Sequence, residues 1–160
     1  MTVHPIPPVY DENSKILILG SFPSVKSREQ MFFYGHKQNR FWKVLCAVFS
    51  KNEPATIPQK KAFLLQNGIA VWDVIASCDI EGSADSTIKN VIPNDLSVIL
   101  NTAKIQKIFV NGNTAARFYK RFIEPLIGIS AITLPSTSPA NATWSVERLS
   151  ATWKKQLSEI

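Results

Sequence analysis

One loop holds most of the side chains in this chain that could do chemistry. It runs from Gly20 to Trp42, directly after a short apolar stretch, and it carries hydroxyls, aromatic rings, a histidine and two amides: Ser24, Ser27, Phe32, Phe33, Tyr34, His36, Gln38 and Asn39. Loops of about twenty residues are uncommon in compact domains and are usually functional. We therefore predict that this segment forms an active site.

Asn39 has two open interpretations. Its carboxamide cannot act as a strong base, but it can orient a water molecule or form a hydrogen bond to a leaving group. It also stands directly before Arg40, where an amphipathic helical pattern begins. Because asparagine is a preferred N-cap residue, a purely structural role as the cap of this helix is open as well.

Length and composition predict one soluble domain. The 160 residues are 45% hydrophobic and 19% charged, which are ordinary globular values. We expect a single domain over residues 1–160, in which 1–14 form an extended lead-in over the surface. No segment approaches the roughly eighteen apolar residues of a membrane helix and the N-terminus has no signal-peptide pattern, so we expect a cytoplasmic protein.

The net charge indicates a class of partner, and the cysteine content excludes two kinds of structural site. Eighteen Lys and Arg residues against twelve Asp and Glu residues leave a net charge of +6, which suits a polyanion such as DNA or RNA without requiring one. Cys46 and Cys78 are too few for a disulfide framework or a structural zinc site. Both are expected to be buried, reduced side chains.

Four apolar segments have the length and composition of strands, and they alternate with helical patterns. The predicted strands span 15–19, 69–74, 105–110 and 129–134. The predicted helices begin at Arg40, follow a capping box at Thr56 and Gln59, and span 95–103, 114–123 and 145–157, whereas 76–93 has the pattern of a second long loop. This alternation predicts an α/β protein, a three-layer αβα sandwich with a central four-stranded parallel sheet.

Polar residues follow each predicted strand. The segments after the four strands are GSFPS, Trp72-Asp73, Asn111-Gly112-Asn113 and residues 135–141. In open parallel sheets, ligands bind beyond the carboxyl ends of the strands. We therefore expect these four segments to ring one cleft.

Five segments in this order and spacing resemble the uracil-DNA glycosylase superfamily. They are GSFPS, FFYGHKQNRFW, VWDVIASCDIEGSADSTIKN, IFVNGNTA and LPSTSPAN, within residues 15–145. The resemblance is closest to the hypoxanthine-DNA glycosylase branch, also called DNA-deoxyinosine glycosylase or family 6. HKQNRFW is in addition similar to the HPxNRFW segment of mismatch-specific uracil glycosylases.

The resemblance implies the fold of these enzymes and a DNA repair activity. It implies a monofunctional hydrolase that flips a deaminated base, hypoxanthine first, out of damaged DNA and cleaves its N-glycosidic bond, leaving an abasic site. It implies no metal and no cofactor, and double- or single-stranded DNA as partner. We expect a monomer without membrane contact, associated with DNA and with the nucleoid if the cell is prokaryotic.

The same resemblance implies roles for named residues. Asn39 would be the catalytic asparagine, and Asp73, where relatives keep a base-reading asparagine, would accept a hydrogen bond from N1–H of hypoxanthine. The other base-binding residues would be Gly20, Ser21, Phe22, Pro23, Phe33, Tyr34, His36 and Asn111. The DNA-binding residues would be Lys26, Arg28, Lys37, Arg40, Asn113, Ser136, Thr137, Ser138, Pro139, Ala140 and Asn141. Structural roles are open for all of these, including a salt-bridged Asp73 and a packed His36.

Two positions depart from the family pattern. Phe22 stands where many relatives carry Asp or Asn, and it supplies no proton chemistry, which favours the hypoxanthine type over classical uracil enzymes. Phe22, Phe33 or Tyr34 could stack on the flipped base or fill the core. Lys37 replaces a proline, which leaves the loop before Asn39 less rigid.

Three other functions stay open. A uracil or G:U/T mismatch glycosylase would use the same scaffold, and a non-catalytic nucleic-acid-binding module would bind DNA without releasing a base. An α/β enzyme for a small nucleotide or phosphate predicts a glycine-rich loop after the first strand. GSFPS has one glycine and a proline, which argues against the last of these.

Overall fold

The computed structural model describes residues 1–158, so residues 159 and 160 of the predicted domain lie outside the described range. The strands are β1 (Thr2–Val3), β2 (Ile16–Gly20), β3 (Ile69–Asp73), β4 (Ile75–Asp79), β5 (Lys89–Pro93), β6 (Lys107–Asn111) and β7 (Ala131–Leu134). The α-helices are α1 (Val25–Gln30), α2 (Phe41–Phe49), α3 (Ile57–Gln66), α4 (Ser97–Leu100), α5 (Asn113–Phe118), α6 (Glu124–Ile127) and α7 (Val146–Leu157). A 3-10 turn precedes β5 at Asp85–Thr87.

The larger sheet confirms the predicted fold class. Its four strands lie in the order β3-β2-β6-β7 and are all parallel. Along β2, Ile16 and Ile18 face helices α2, α3 and α7, whereas Leu17 and Leu19 face α4 and α5. Because β2, β3 and β6 are largely buried on both faces, they have nearly continuous apolar sequences, which is why the sequence pattern identifies them. The edge strand β7 is less buried, with Thr133 exposed.

A second sheet was not predicted. Strands β1, β4 and β5 form a three-stranded antiparallel sheet, so the prediction that 76–93 is a loop is wrong. The lead-in 1–14 is extended as expected, but it is packed into the fold, with Ile6 and Val9 buried. The pattern hides these strands because β1 has two residues, β5 contains Lys, Asn and Pro, and the pairing of β4 with β5 is irregular.

The loop 20–42 contains a helix that the sequence analysis did not predict. Helix α1 begins after Ser24, whose side chain accepts a hydrogen bond from the backbone N–H of Ser27. It ends at Met31, which has a left-handed backbone with φ of 59°. This short helix shortens the irregular part of the loop and carries Lys26 and Arg28 on its surface.

The helix predicted over 114–123 continues past Pro125, so its predicted end is wrong. A turn of π-helix, Tyr119–Ile123, follows α5 and leads into α6. Pro125 lies in the first turn of α6, directly after the π-helical turn. Gly128, with φ of 70°, ends the helix.

Two other predicted helices are confirmed, and their N-caps explain where they begin. Thr56 and Gln59 form the predicted capping box of α3. Ser145 caps α7, whose buried face contains Leu149, Trp153 and Leu157. Within residues 1–158, no helix is long and apolar enough to span a membrane.

Candidate active site

A pocket opens at the carboxyl ends of β2, β3 and β6. Its volume is about 280 Å³, at the lower end of the range for small-molecule sites. It is lined by all ten residues predicted to be catalytic or base-binding: Asn39, Asp73, Gly20, Ser21, Phe22, Pro23, Phe33, Tyr34, His36 and Asn111. Residues 136–140 of the predicted DNA-binding loop line it as well.

Gly20 and Asp73 meet on one side of this pocket. They are paired residues at the ends of β2 and β3, and Asp73 is buried. A Cβ atom at position 20 would overlap Asp73 Oδ1 and would lie 2.9 Å from the Tyr34 hydroxyl oxygen. Only glycine at position 20 leaves room for both polar groups.

The Asp73 carboxylate is held by His4, which was not among the predicted site residues. His4 Nε2 lies 2.7 Å from Asp73 Oδ2, and their side chains are 3% and 5% exposed. The backbone N–H of Ile6 donates a hydrogen bond to Nδ1 of the same ring. The two partners are 69 residues apart in the chain, and the one hint in the sequence was the apolar Ile6 and Val9 in a segment assigned to the surface.

Tyr34 places a hydroxyl group in the pocket. Its oxygen is buried and has no hydrogen-bond partner among residues 1–158. Burial raises the pKa of this hydroxyl above its ordinary value and the charge of Asp73 adds to the shift, while the Asn111 side chain opposes it. The hydroxyl therefore stays protonated and can donate a hydrogen bond.

The ring and backbone of Tyr34 are held firmly. One face of the ring stacks on Phe41, with centroids 3.8 Å apart and planes 14° from parallel. The backbone has a left-handed conformation with φ of 54°, which costs energy in a residue other than glycine. Surrounding contacts must hold this conformation, so the position of the hydroxyl is fixed.

Asn39 has its carbonyl oxygen fixed and its amide nitrogen free. Oδ1 accepts hydrogen bonds from the backbone N–H of Phe41 at 3.0 Å and from the Thr137 hydroxyl at 2.9 Å. Because a backbone N–H can only donate, these contacts assign the oxygen and nitrogen of the carboxamide. Nδ2 makes no hydrogen bond within residues 1–158. Arg40, rather than Asn39, occupies the N-cap position of α2.

Thr137 links Asn39 to Asn111. Its hydroxyl also accepts from Asn111 Nδ2 at 3.0 Å, and its backbone N–H donates to Asn111 Oδ1 at 3.1 Å. The residue is fully buried. The expectation that the Thr137 hydroxyl contacts a DNA phosphate is therefore replaced by a role inside the protein.

Arg40 also acts inside the protein. Its guanidinium group donates hydrogen bonds to the backbone carbonyls of Thr137, Ser138, Asn141 and Trp144. These contacts use the charge of Arg40 to hold the loop after β7. Arg40 therefore shapes this loop, and its predicted contact with DNA stays a prediction.

The other predicted residues of this loop are arranged around its turns. Ser136 Oγ accepts from the backbone N–H of Ser138, and Ser138 Oγ accepts from that of Ala140. Asn141 Nδ2 donates to the Ser136 carbonyl. Ser136 also packs close to Gly112: a Cβ atom added to Gly112 would lie 2.9 Å from the Cβ of Ser136.

Phe22 and Phe33 surround the His4 ring. Phe22 meets this ring edge-on, with centroids 5.9 Å apart, and Phe33 lies tilted at 6.1 Å. Both are buried side chains that also reach the pocket wall. The structure thus gives both residues a packing role, and it leaves a stacking role for Phe22, Phe33 or Tyr34 as a prediction.

His36 lies at the pocket wall, within a turn of its own loop. Its Nδ1 accepts a hydrogen bond from the backbone N–H of Gln38 at 3.1 Å, and its carbonyl accepts one from that of Asn39. The packed interpretation of this histidine is consistent with both contacts. Its predicted contact with the base stays a prediction.

The mouth of the pocket holds Asp85, which was not predicted. It comes from the turn between β4 and β5, and its side chain is open to solvent near Ser21, whose hydroxyl lies 3.4 Å from Oδ1. The cleft walls partly desolvate the carboxyl and raise its pKa; Ser21 and Arg117 oppose the shift, and the charge of Asp73 adds to it. Asp85 and Asp73 are the two carboxylates in the described lining of the pocket.

The remaining predicted DNA-binding residues lie outside the pocket. Lys26 is exposed and lies 3.5 Å from Glu29, whereas Lys37 is exposed without an ion pair to any residue in 1–158. Arg28 donates to the Gly82 carbonyl at 2.7 Å and packs over Phe22, which ties α1 to the second sheet.

An open groove continues from the pocket along the loop after β7. It has a volume of about 560 Å³ and is lined by Asn113, Asn141 and Trp144 among others. Among the described residues, no three His, Cys, Asp or Glu side chains lie together as a metal site would require.

Comparison with known proteins agrees with this arrangement. Residues 7–157 match the family model described as the uracil DNA glycosylase superfamily. A protein of Methanosarcina acetivorans named hypoxanthine DNA glycosylase is 37% identical over 147 residues, which cover 89% of this chain and 90% of that protein. A protein of the same name from Methanosarcina barkeri is 32% identical over 140 residues, covering 84% and 85%.

A solved structure has the same fold. It is a solution NMR structure from Methanosarcina acetivorans, provisionally described as a uracil DNA glycosylase, with a TM-score of 0.79 and 35% sequence identity. The match covers 94% of this chain and 92% of that one. By the family model, the identity to these relatives and the shared fold, this chain belongs to the uracil DNA glycosylase superfamily.

Proposed function

We propose that this protein removes a deaminated base, hypoxanthine first, from DNA by hydrolysing the N-glycosidic bond and leaving an abasic site. The observation that carries the proposal is a pocket of about 280 Å³ that holds a buried carboxylate, Asp73, together with the free amide nitrogen of Asn39. A pocket of this size fits one nucleobase. A base can reach it only when its nucleotide is flipped out of the helical stack.

The carboxylate favours hypoxanthine and uracil over adenine and cytosine, the bases from which they form. Deamination of adenine turns N1 from a hydrogen-bond acceptor into an N–H donor, and deamination of cytosine does the same to N3. An ionised Asp73 can only accept hydrogen bonds. It therefore pairs with hypoxanthine or uracil and opposes the acceptor nitrogen of adenine or cytosine.

Hypoxanthine is the proposed base because of the relatives. The two Methanosarcina proteins that share 37% and 32% identity with this chain both bear the name hypoxanthine DNA glycosylase. Uracil also offers an N–H group, at N3, to Asp73. Removal of uracil, or of a mismatched base, is therefore the alternative activity for a DNA glycosylase with this scaffold.

Asn39 would act on the leaving base. Cleavage of the glycosidic bond develops negative charge on the base and positive charge on the sugar. With Oδ1 fixed by Phe41 and Thr137, Asn39 presents N–H groups to the pocket, and a positioned donor stabilises developing negative charge. This geometry supports a donor role for Asn39 rather than activation of water by its carbonyl.

Asp85 would orient the attacking water. The position where related enzymes carry Asp or Asn is occupied by Phe22, which cannot bind water strongly. Asp85 stands at the pocket mouth beside Ser21, and Ser21 directly precedes Phe22 in the chain. A carboxylate there can accept a hydrogen bond from a water molecule near the sugar.

DNA would bind along the groove and the loop after β7. Arg40 holds that loop in shape, while exposed Lys37 and Lys26 and the net charge of +6 favour a polyanion. We also propose that the chain works as one domain over residues 1–160, as a monomer in the cytoplasm or nucleoid, with no metal or cofactor.

The test is base release from labelled oligonucleotides that contain hypoxanthine or uracil, single-stranded and opposite each of the four bases. We expect free hypoxanthine and an intact strand with an abasic site that breaks only after alkali. Release of uracil alone would change the proposed specificity from hypoxanthine to uracil. DNA binding without release of any base would contradict the proposed glycosylase activity and would favour a non-catalytic DNA-binding module.

A further inference from the structure

The contact between His4 and Asp73 joins the N-terminal segment to the pocket. The backbone N–H of His4 donates to the Ala76 carbonyl, next to the pairing of β1 with β4, and this places the ring behind Asp73. Phe22, Phe33 and Trp72 pack around the ring, at centroid distances of 5.9, 6.1 and 6.4 Å. The ring is therefore enclosed and has little freedom to turn.

The hydrogen bonds of His4 assign its tautomer. Ile6 donates its backbone N–H to Nδ1 at 3.2 Å, so Nδ1 carries no proton. The proton of the neutral ring is then on Nε2, which donates to Asp73 Oδ2 at 2.7 Å. A neutral donor of this kind fixes the carboxylate in place and leaves its negative charge uncompensated.

One oxygen of Asp73 remains for the pocket. Oδ2 is taken by His4, while Oδ1 faces Gly20 and accepts no hydrogen bond from residues 1–158. The unpaired Tyr34 hydroxyl faces the same point of Gly20. The pocket thus presents a fixed acceptor beside a free donor.

This pair of groups matches one edge of a deaminated base. Hypoxanthine has a donor at N1 next to an acceptor at O6, and in adenine the order of donor and acceptor is reversed. The hydroxyl could adapt to either order, but the carboxylate cannot donate. The selectivity of such a pair depends on the carboxylate staying ionised and in place.

We propose that His4 is a positioning residue that sets base selectivity, by holding Asp73 so that Oδ1 and the Tyr34 hydroxyl together read the N–H and C=O edge of the base. The proposal rests on the proposed function. His4 itself does not touch the base.

The test compares two substrates and two variants. Hypoxanthine release from deoxyinosine is measured beside purine release from deoxynebularine, whose base has neither N1–H nor O6. His4→Leu removes the donor to Asp73, and we expect hypoxanthine release to fall about 10- to 100-fold, the worth of one hydrogen bond to a charged group. Purine release should change less than about threefold. His4→Gln, whose amide N–H can replace Nε2–H, should restore most of the loss.

Parallel losses on both substrates, or no loss in His4→Leu, would overturn the proposal and leave His4 a packing residue. Circular dichroism and thermal melts of both variants show whether they fold.

A second measurement is independent of activity. Long-range ¹H–¹⁵N NMR reports the tautomer of each histidine, and the chain has two, which the His4→Gln variant tells apart. We expect His4 to carry a proton on Nε2 and none on Nδ1. A ring protonated at Nδ1 overturns the proposal. A wild-type protein that releases neither base contradicts the proposed function, and the NMR result then still decides whether His4 holds Asp73 as described.

Discussion

The two sheets of this molecule both contribute polar groups to the pocket, and these groups are held in different ways. Asn39, Asn111 and Thr137 lie in or after strands of the parallel sheet, and Thr137 joins the two asparagines by hydrogen bonds of 2.9 to 3.1 Å; we call these three residues the fixed side. The turn between β4 and β5 of the antiparallel sheet contributes Asp85. Its contact with Ser21, which directly follows β2, is longer, at 3.4 Å, and open to solvent; we call Asp85 and Ser21 the open side.

This difference suits two kinds of work. Groups that stabilise charge in a transition state act best when they are already in position, because no reorganisation is then needed during the reaction. A group that handles water must meet a mobile molecule at the solvent boundary. The comparison therefore predicts large, geometry-dependent effects for the fixed side and smaller effects for the open side.

Asn39→Asp should have the largest effect. The aspartate keeps an oxygen for the N–H of Phe41 and the hydroxyl of Thr137, but it replaces the free N–H groups with a second acceptor. We expect single-turnover base release to fall about 100- to 1,000-fold, as for loss of one donor to a developing anion. The melting temperature should stay close to that of the wild type.

Asn39→Ala serves as the comparison variant, since it also removes the acceptor of the Phe41 N–H and of the Thr137 hydroxyl. We expect it to be less stable by about 1 kcal/mol and to melt at a lower temperature. Full activity in Asn39→Asp would mean that Asn39 works through its carbonyl, and the fixed side would lose its proposed role.

Gly20→Ala tests whether the geometry of Asp73 matters. The added Cβ would overlap Asp73 Oδ1 and crowd the Tyr34 hydroxyl, so both polar groups must shift. We expect base release to fall about 10- to 100-fold, since small misplacements at a catalytic site are costly. Gly128→Ala is the control for a loss of stability away from the pocket, because a Cβ there meets no atom within 4 Å while the φ of 70° strains the backbone of an alanine. Unchanged release by Gly20→Ala would show that the pocket tolerates a displaced carboxylate.

Asp85→Asn should have a smaller effect, about tenfold on single-turnover release, because one partly solvated hydrogen bond is lost. The pH profile sharpens this test. Partial burial raises the pKa of Asp85, so in the wild type the ionised form is lost, as pH falls, at a higher pH than for an ordinary aspartate. Activity should decline on this acid limb, and the limb should move in Asp85→Asn. Identical profiles would remove Asp85 from the mechanism.

Lys37→Ala should have the smallest effect. Lys37 is exposed and is not ion-paired within the described chain, so its charge can reach a phosphate. We expect weaker DNA binding at low salt and a slope of log affinity against log salt that is shallower by about 0.7 to 0.9. Lys26→Ala should change the slope less, since Glu29 lies 3.5 Å from Lys26. Equal slopes in Lys37→Ala and the wild type would exclude a contact at Lys37.

The contrast between the sheets also explains what the sequence could predict. Strands β2, β3 and β6 are largely buried on both faces, so their apolar runs identify them, and the polar residues after them mark the pocket. Strands β1 and β5 are short or polar, and only pairing with β4 makes them strands. His4 and Asp85, which come from this second sheet or its turn, were therefore missed.

Arg40 and Thr137 show a second limit. Residue type indicates which hydrogen bonds a side chain can form, and both residues are suited to a phosphate. Whether the partner is DNA or the protein's own backbone depends on burial, which arises only in the fold. Arg40 binds four carbonyls of one loop, and Thr137 is fully enclosed between two asparagines.

The central claim is that a fixed acceptor, Asp73, selects a base that carries an N–H group. The most direct test compares single-turnover release of hypoxanthine and of adenine by the wild-type protein, from oligonucleotides that differ only in deoxyinosine or deoxyadenosine at one position. We expect hypoxanthine release to be faster by at least about a thousandfold, since a site built around hydrogen bonds rejects a mismatched analogue strongly. Comparable release of both bases would contradict the claim.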